Sequence, residues 1–306
     1  KAVKESLPPD EIDNLIAETQ KLQELQLAPD SPEALATLPS LEIQDVPKEI
    51  EKYPLEIKNQ GDSKILFHEL FTNGIAYTQI GFNTHSVPLE MIPYVPLLGT
   101  LVLGMGTTKH SYTEISKLIG MHTGGIRNSH FSSATAQDRH QVLSYISFSG
   151  KALMEKVDNL FDIFDELLGD YSFDDHKRLI EIIRSAKADM EDSIVPHGNH
   201  YVLARLQSYQ SRLGQFDELT DGITYYRFLE QLLERVEKNP EEVAGQFKQV
   251  AERVFTRKNA LFNITSDQKD YRKIEKRIVG TVSVLAEKEW NVEEWNLNVV
   301  PLNEGF

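Results

Sequence analysis

Phe71-Thr72-Asn73-Gly74-Ile75-Ala76-Tyr77, Leu97-Leu98-Gly99-Thr100-Leu101, Gly104-Met105-Gly106-Thr107 and Thr123-Gly124-Gly125 mark the stretch, residues 71–125, whose reading decides the fold. Ile65-Leu66-Phe67 leads into Asn73-Gly74, and residues 75–82 follow as a second strand-like run. Both Asn and Gly accept positive φ, so the pair predicts a tight hairpin. Residues 91–105 are the most apolar run of the chain, but they are short for a membrane span and interrupted by Pro93 and Pro96. They read as a buried helix. Thr123-Gly124-Gly125 then reads as a helix-to-strand connection in which the glycines supply free φ.

Outward from this stretch, residues 125–132 and 141–148 continue the strand pattern. In the second, Val142, Ser144, Ile146 and Phe148 alternate with Leu143, Tyr145 and Ser147, as expected of a sheet packed on helices on one side. Leu153, Val157, Leu160, Phe161, Phe164, Leu167 and Leu168 then form a helical stripe, with Gly169 as C-cap. A helix from about Asp174 carries Leu179, Ile182, Ile183, Ala186 and Met190. Further helices are predicted over residues 225–236 and, after Asn239-Pro240, through Val243, Phe247, Val250 and Val254. Residues 259–265 read as a strand, and Ser266 as the cap of a last helix through Tyr271, Ile274, Ile278, Val282 and Leu285. The class is α+β, an antiparallel sheet with helices on one face.

Before the sheet, Ile12, Leu15, Ile16, Thr19, Leu22 and Leu25 fall at helical spacing after Pro8-Pro9-Asp10, and Ser31-Pro32 opens a second, short helix. Residues 39–61 lack periodicity and read as an extended strap. The 306 residues, 40% hydrophobic, suffice for one large domain or two modest ones. A formal charge of -15 excludes a general nucleic-acid binder and would attract a cationic peptide. The absence of cysteine removes disulfides, thiolate zinc sites and cysteine nucleophiles, and suits a reducing compartment. No targeting or spanning segment is visible, and both ends, at Lys1 and after the expected 301–305 turn, read as cut from a longer polypeptide.

Candidate chemistry is sparse. His197 and His200 share a metal-ligand spacing, but Pro196 and Gly198 favour a turn and no third ligand lies nearby. Thr123-Gly124-Gly125 lacks both the Lys-Ser/Thr ending of a P-loop and the G-x-G-x-x-G spacing. His68, Glu69, His85 and His110 stand near strand ends and loops with no nucleophile motif. The acidic runs 162–170 and 234–242 read as solvated helix faces. No residue is assigned as catalytic, cofactor-binding or metal-ligating.

The ordered landmarks Pro39-Ser40-Leu41, Thr72-Asn73-Gly74-Ile75, Gly106-Thr107, Gly222-Ile223-Thr224-Tyr225 and Asn303-Glu304-Gly305-Phe306 resemble the C-terminal, non-catalytic half of a presequence protease, the enclosed-chamber branch of the pitrilysin and insulysin zinc peptidases. In that family's catalytic half an H-x-x-E-H helix supplies two His ligands and a Glu base shortly before a Gly-Thr or Gly-Ser pair. Laid against Gly106-Thr107, those slots hold Leu97, Thr100 and Leu101. Neither leucine can donate a lone pair to Zn²⁺, and Thr100 is no carboxylate base.

The resemblance implies that residues 1–45 end a helical connector and residues 46–306 are the third, non-catalytic domain. Zinc would belong to the N-terminal half of the parent polypeptide, which would be this chain's partner, and unfolded peptides such as cleaved targeting sequences would be the substrates. The expected setting is the cytoplasm or an organelle matrix, without nucleic acid or membrane. The rival is a standalone peptide- or protein-binding module of the same fold, and a third reading is a metalloenzyme using His197 and His200.

Overall fold

The structure, a computed structural model, describes residues 7–297, so the expected matches at 298–306 lie outside the described residues. Contacts divide the chain into two compact units, one ending at Lys52 and the other beginning at Tyr53. In the first, α1 (Pro9–Leu27) opens with Pro at its first turn and Asp10 and Glu11 beside the exposed N–H groups. The short α2 (Pro32–Leu35) follows Ser31, whose Oγ accepts from the Ala34 N–H at 3.2 Å. No side chain of either helix is buried, and the apolar stripe of α1 faces solvent, with Leu22 55% and Leu25 67% exposed.

The second unit is built on six strands, β1 (Glu56–Gln60), β2 (Ser63–Glu69), β3 (Ile75–Asn83), β4 (Ile126–Ala134), β5 (Val142–Leu153) and β6 (Ala260–Ser266), in the spatial order β1-β2-β6-β3-β5-β4. A 3₁₀ turn at Leu89–Tyr94, which accommodates Pro93, leads into α3 (Val95–Gly104), followed by α4 (Tyr112–His122). After β5 come α5 (Val157–Gly169), α6 (His176–Ile194), α7 (Gly198–Ser208), α8 (Arg212–Thr220), α9 (Ile223–Lys238) and α10 (Pro240–Val254). α11 (Gln268–Val284) closes the series. The class is α+β, as expected.

The topology corrects the predicted hairpin. Asn73 (φ 51°) and Gly74 (φ 75°) do make a left-handed turn, but β6 lies between β2 and β3, so the turn reverses the chain across a gap one strand wide. That strand comes from a segment about two hundred residues away, and local turn chemistry carries no information about it. β6 runs parallel to β2 and antiparallel to β3, which makes the sheet mixed. The true two-residue hairpin joins β1 to β2 through Gly61-Asp62, with Gln60 opposite Ser63 and Gly61 at φ 58°. The strap expected over residues 39–61 therefore ends earlier. Residues 56–60 are an edge strand whose polar sequence suits an unpaired edge, and Lys58 lays its ammonium 3.9 Å from the Tyr271 ring centre.

Three smaller boundaries also shift. Leu153 ends β5 rather than starting α5, because the ladder with β3 continues to Ile75 opposite Leu153. Gly169 is the last helical residue and has no positive φ; a Cβ there would sit 2.3 Å from Val284 Cγ1, so glycine serves close helix packing. Ser266 completes β6, and Asp267 holds the N-cap position of α11.

One face of the sheet makes the core. Ile65, Phe67, Ala76, Ile80, Phe82, Ile146, Phe148, Phe262 and Ile264 pack under α3, α5, α10 and α11, which contribute Leu98, Leu101, Phe161, Phe164, Phe247 and Ile278. At about 25 cal/mol per Å² this burial is the dominant stabilising term. Among the described residues no helix is long and apolar enough to cross a membrane.

Candidate functional site

The strand pairing fixes which side chains share the opposite face. One row runs Ile57, Leu66, Asn263, Gln79, Ser149, Arg127, and the next His68, Thr265, Tyr77, Lys151. Because strand side chains alternate, these rows point away from the core, and their members are half-buried or exposed. Hydrogen bonds tie the polar members into a flat floor. Gln79 Nε2 donates to Ser147 Oγ at 3.0 Å, Ser147 and Ser129 hydroxyls meet at 2.9 Å, and Asn263 Nδ2 donates to Gln79 Oε1 at 3.3 Å. A recess of about 350 Å³ opens here, lined by Tyr77, Gln79, Arg127, Ser149, Lys151 and Asn263 together with Gly124 and Gly125.

The glycine pair at the rim has two separate reasons. Gly125 adopts φ 101°, which only glycine holds without strain. Gly124 has ordinary φ, but a Cβ there would meet Lys151 Cε at 2.8 Å, so its absence lets the lysine stem lie across the loop. The Gly124 N–H donates to Lys151 O at 2.7 Å and the Gly125 N–H to Thr123 Oγ1 at 3.0 Å.

A second recess, about 430 Å³, lies between β4 and helices α7 and α8, and gathers His130, Ser132, His200, Asp217 and Asp221. His130 meets Ser144 Oγ at 3.0 Å, and burial pushes its pKa down to about 4. Ser132 Oγ donates to Asp217 Oδ1 at 2.5 Å; burial raises the Asp217 pKa and that hydrogen bond opposes the rise. No local motif marks this cluster, since His130 comes from a strand and its neighbours from helices some seventy or more residues later. The one available signal was His130 in the core-facing register of β4.

The residues singled out from sequence do not converge. His197 is the N-cap of α7 and His200 stands in its first turn, 3.0 Å from Asp221 Oδ2. His68 Nδ1 lies 2.8 Å from Pro54 O. His85 stacks on Trp295 at 4.2 Å, and burial lowers its pKa. His110 Nδ1 is 2.9 Å from Glu166 Oε1, on the turn after α3 where Gly106 takes φ 88°. Glu69 is exposed at the end of β2. Among the described residues no group of three or more His, Asp or Glu side chains is placed to hold a metal. Leu97 is 4% exposed and Leu101 0%, on the core face of α3, while Thr100 is on its exposed face.

A sheet with helices on one face, an open polar face on the other, and leucines on the helix that precedes Gly106-Thr107 define a domain of peptidase-like architecture. Comparison with known proteins names it: residues 1–232 match the family described as associated with peptidase family M16, subfamily C, and the chain belongs to that family. It is 30% identical to Protein HypA of Clostridium perfringens over 99% of this chain and 31% of that protein. It is also 30% identical to presequence protease 1, chloroplastic/mitochondrial, of Arabidopsis thaliana, over 93% of this chain and 26% of that one. The mitochondrial presequence protease of Saccharomyces cerevisiae is 29% identical over 79% of the chain and 25% of its own length. The resemblance to presequence proteases is upheld. This chain spans about a quarter to a third of these relatives. A crystal structure of the peptidase M16 inactive domain from Pseudomonas fluorescens shares the fold, with TM-score 0.53 over 78% of this chain and 53% of that one at 14% identity.

Proposed function

We propose that this chain is a non-catalytic wall of a larger zinc metalloendopeptidase that degrades unfolded peptides, the open face of its sheet turned toward the enclosed space. The observation that carries this reading is α3. Its position before Gly106-Thr107 is where the family's catalytic half carries its metal motif, yet Leu97 and Leu101 are buried in the core. Fold is kept and metal chemistry is replaced by packing. Zinc, and the lowering of the pKa of its bound water, would then be supplied by the N-terminal half of the same polypeptide. The exposed stripe of α1 supports a connector role for residues 1–45, since a helix with Leu15, Ile16, Leu22 and Leu25 in water is poorly stable without a partner. The relatives named for mitochondria and chloroplasts point to an organelle matrix as the setting.

The test is a titration of this chain, and separately of a chain extended past Phe306 to include a fourth domain, into a fixed amount of the N-terminal half. Peptidase activity should rise and saturate. Separating the halves removes an effective concentration on the order of millimolar, so assembly should depend steeply on concentration. No change in rate with either chain, and no complex on sizing, would sink the wall reading in favour of a standalone peptide- or protein-binding module.

A further inference from the structure

The open face of the sheet has a charge opposite to that of the chain. The protein carries 47 acidic against 32 basic residues. On the outward-facing positions of the six strands, however, the only Lys, Arg, Asp or Glu residues are Lys64, Arg127 and Lys151. Among the described residues no acidic side chain lines the recess. Arg127 pairs with Ser149, two positions before Lys151 on β5, so the two cations are diagonal cross-strand neighbours, about 7–8 Å apart at the backbone. Neither side chain makes a hydrogen bond or ion pair with any other described residue. Two like charges held side by side over a floor of Gln79, Asn263, Ser149 and Thr265 leave an unanswered demand for an anion.

We propose that this recess binds a carboxylate of an extended peptide, the terminal one above all, with Arg127 as the planar two-pronged donor and Lys151 as the second charge. Three observations select that chemistry. The Gly124 and Gly125 N–H groups are already committed to Lys151 O and Thr123 Oγ1, so the loop has no backbone cradle to offer a phosphate. The chain's net charge repels a polyanion such as nucleic acid. Alongside, a second recess shares Tyr77 and Thr265 and presents Phe71, 84% exposed, as an apolar contact for the residue next to the carboxylate. Guanidinium and carboxylate match in bidentate geometry, and the amide and hydroxyl floor suits the backbone of an extended chain. The overall acidity of the chain predicts a preference for cationic peptides, and on this face that preference is reversed.

The inference rests on the open face being a peptide-facing wall, and its test is kept separate from that reading. An N-terminally labelled octapeptide of Gly, Ser and Ala ending in Phe is titrated with this chain by fluorescence anisotropy, once as the free acid and once as the amide. The acid should bind roughly tenfold more tightly at low salt, and the difference should shrink as the Debye length falls below about 5 Å. The exposed double substitution Arg127→Gln, Lys151→Gln should abolish the difference with an unchanged melting temperature. Arg127→Glu with Lys151→Glu should favour the amide. Inorganic phosphate at matched ionic strength should displace the acid no better than chloride. Equal affinity for acid and amide, an acid preference that survives the double Gln substitution, or displacement of both peptides alike by phosphate would each overturn the proposal. Acid preference without activation of the N-terminal half removes only the wall reading, and activation without acid preference removes only this one.

Discussion

Replacing Leu101 by Ala deletes the isobutyl group of a side chain with no solvent exposure at the centre of α3. That helix packs on β4 and β5 on one side and on α6 and α10 on the other, so the space left behind is walled by four elements. A buried Leu→Ala change costs about 2–5 kcal/mol, with the larger values where the surroundings cannot collapse. Walls on two sides place Leu101→Ala at about 3–4 kcal/mol. For a unit of this size each kcal/mol moves the melting temperature by about 2–4 °C, so the expected fall is roughly 6–16 °C. Thr100→Ala, on the exposed side of the same helix, is the control and should stay within about 0.5 kcal/mol. Restoring the metal motif as Leu97→His, Thr100→Glu, Leu101→His should be worse than Leu101→Ala, because two imidazoles would enter the core without partners. The assay is urea unfolding followed by circular dichroism, repeated by heat. A midpoint for Leu101→Ala indistinguishable from the parent chain, or equal losses for Leu101→Ala and Thr100→Ala, would refute the placement of α3 and with it the argument that packing has replaced chemistry there.

Further outcomes follow from other positions. Gly214→Ala would bring a Cβ to 2.2 Å from the backbone O of Gln207, so α7 and α8 must separate, at a cost of about 1–3 kcal/mol by thermal unfolding. His130 titrates near 4 when folded and near its ordinary 6.5 when unfolded, so over that window the unfolded state binds more protons. Its stabilising contribution is therefore complete above pH 6.5 and is lost as pH falls toward 4, by at most about 3 kcal/mol. Asp165 and Asp217, with pKa values raised by burial, act in the opposite sense: their contribution is lost as pH rises through their folded values. Urea midpoints across this range should show a slope that His130→Gln flattens; an unchanged slope would mean that His130 is not the group responsible. After dialysis against a chelator and readdition of zinc, metal analysis should find no stoichiometric zinc and a fluorogenic peptide should stay intact, whereas one tightly held zinc per chain with chelator-sensitive turnover would contradict the non-catalytic assignment.

What the sequence determined by itself is local. The stripe Val157, Leu160, Phe161, Phe164, Leu167 and Leu168 is a helix face because apolar residues at a 3.6-residue period can bury together only in that geometry. Asn239-Pro240 starts α10 because the Asn239 side chain accepts from the Glu242 N–H and proline suits a first helical turn. The lack of ligands at Leu97 and Leu101 was legible for the same reason: ligation is a property of the side chain, wherever it is placed. Tertiary structure decided what depends on distant segments meeting. Whether Asn73-Gly74 closed a hairpin turned on β6, which enters from residues 260–266 with an apolar face, Ala260, Phe262 and Ile264, that continues the buried rows of β2 and β3. The open face became readable only once the register set Arg127 beside Ser149 and Tyr77 beside Lys151, because a shift of one residue would turn every one of these side chains into the core. The charge of that face is a sum over strands drawn from both ends of the chain, and it is opposite in sign to the composition because the acidic residues lie on the helices and loops instead.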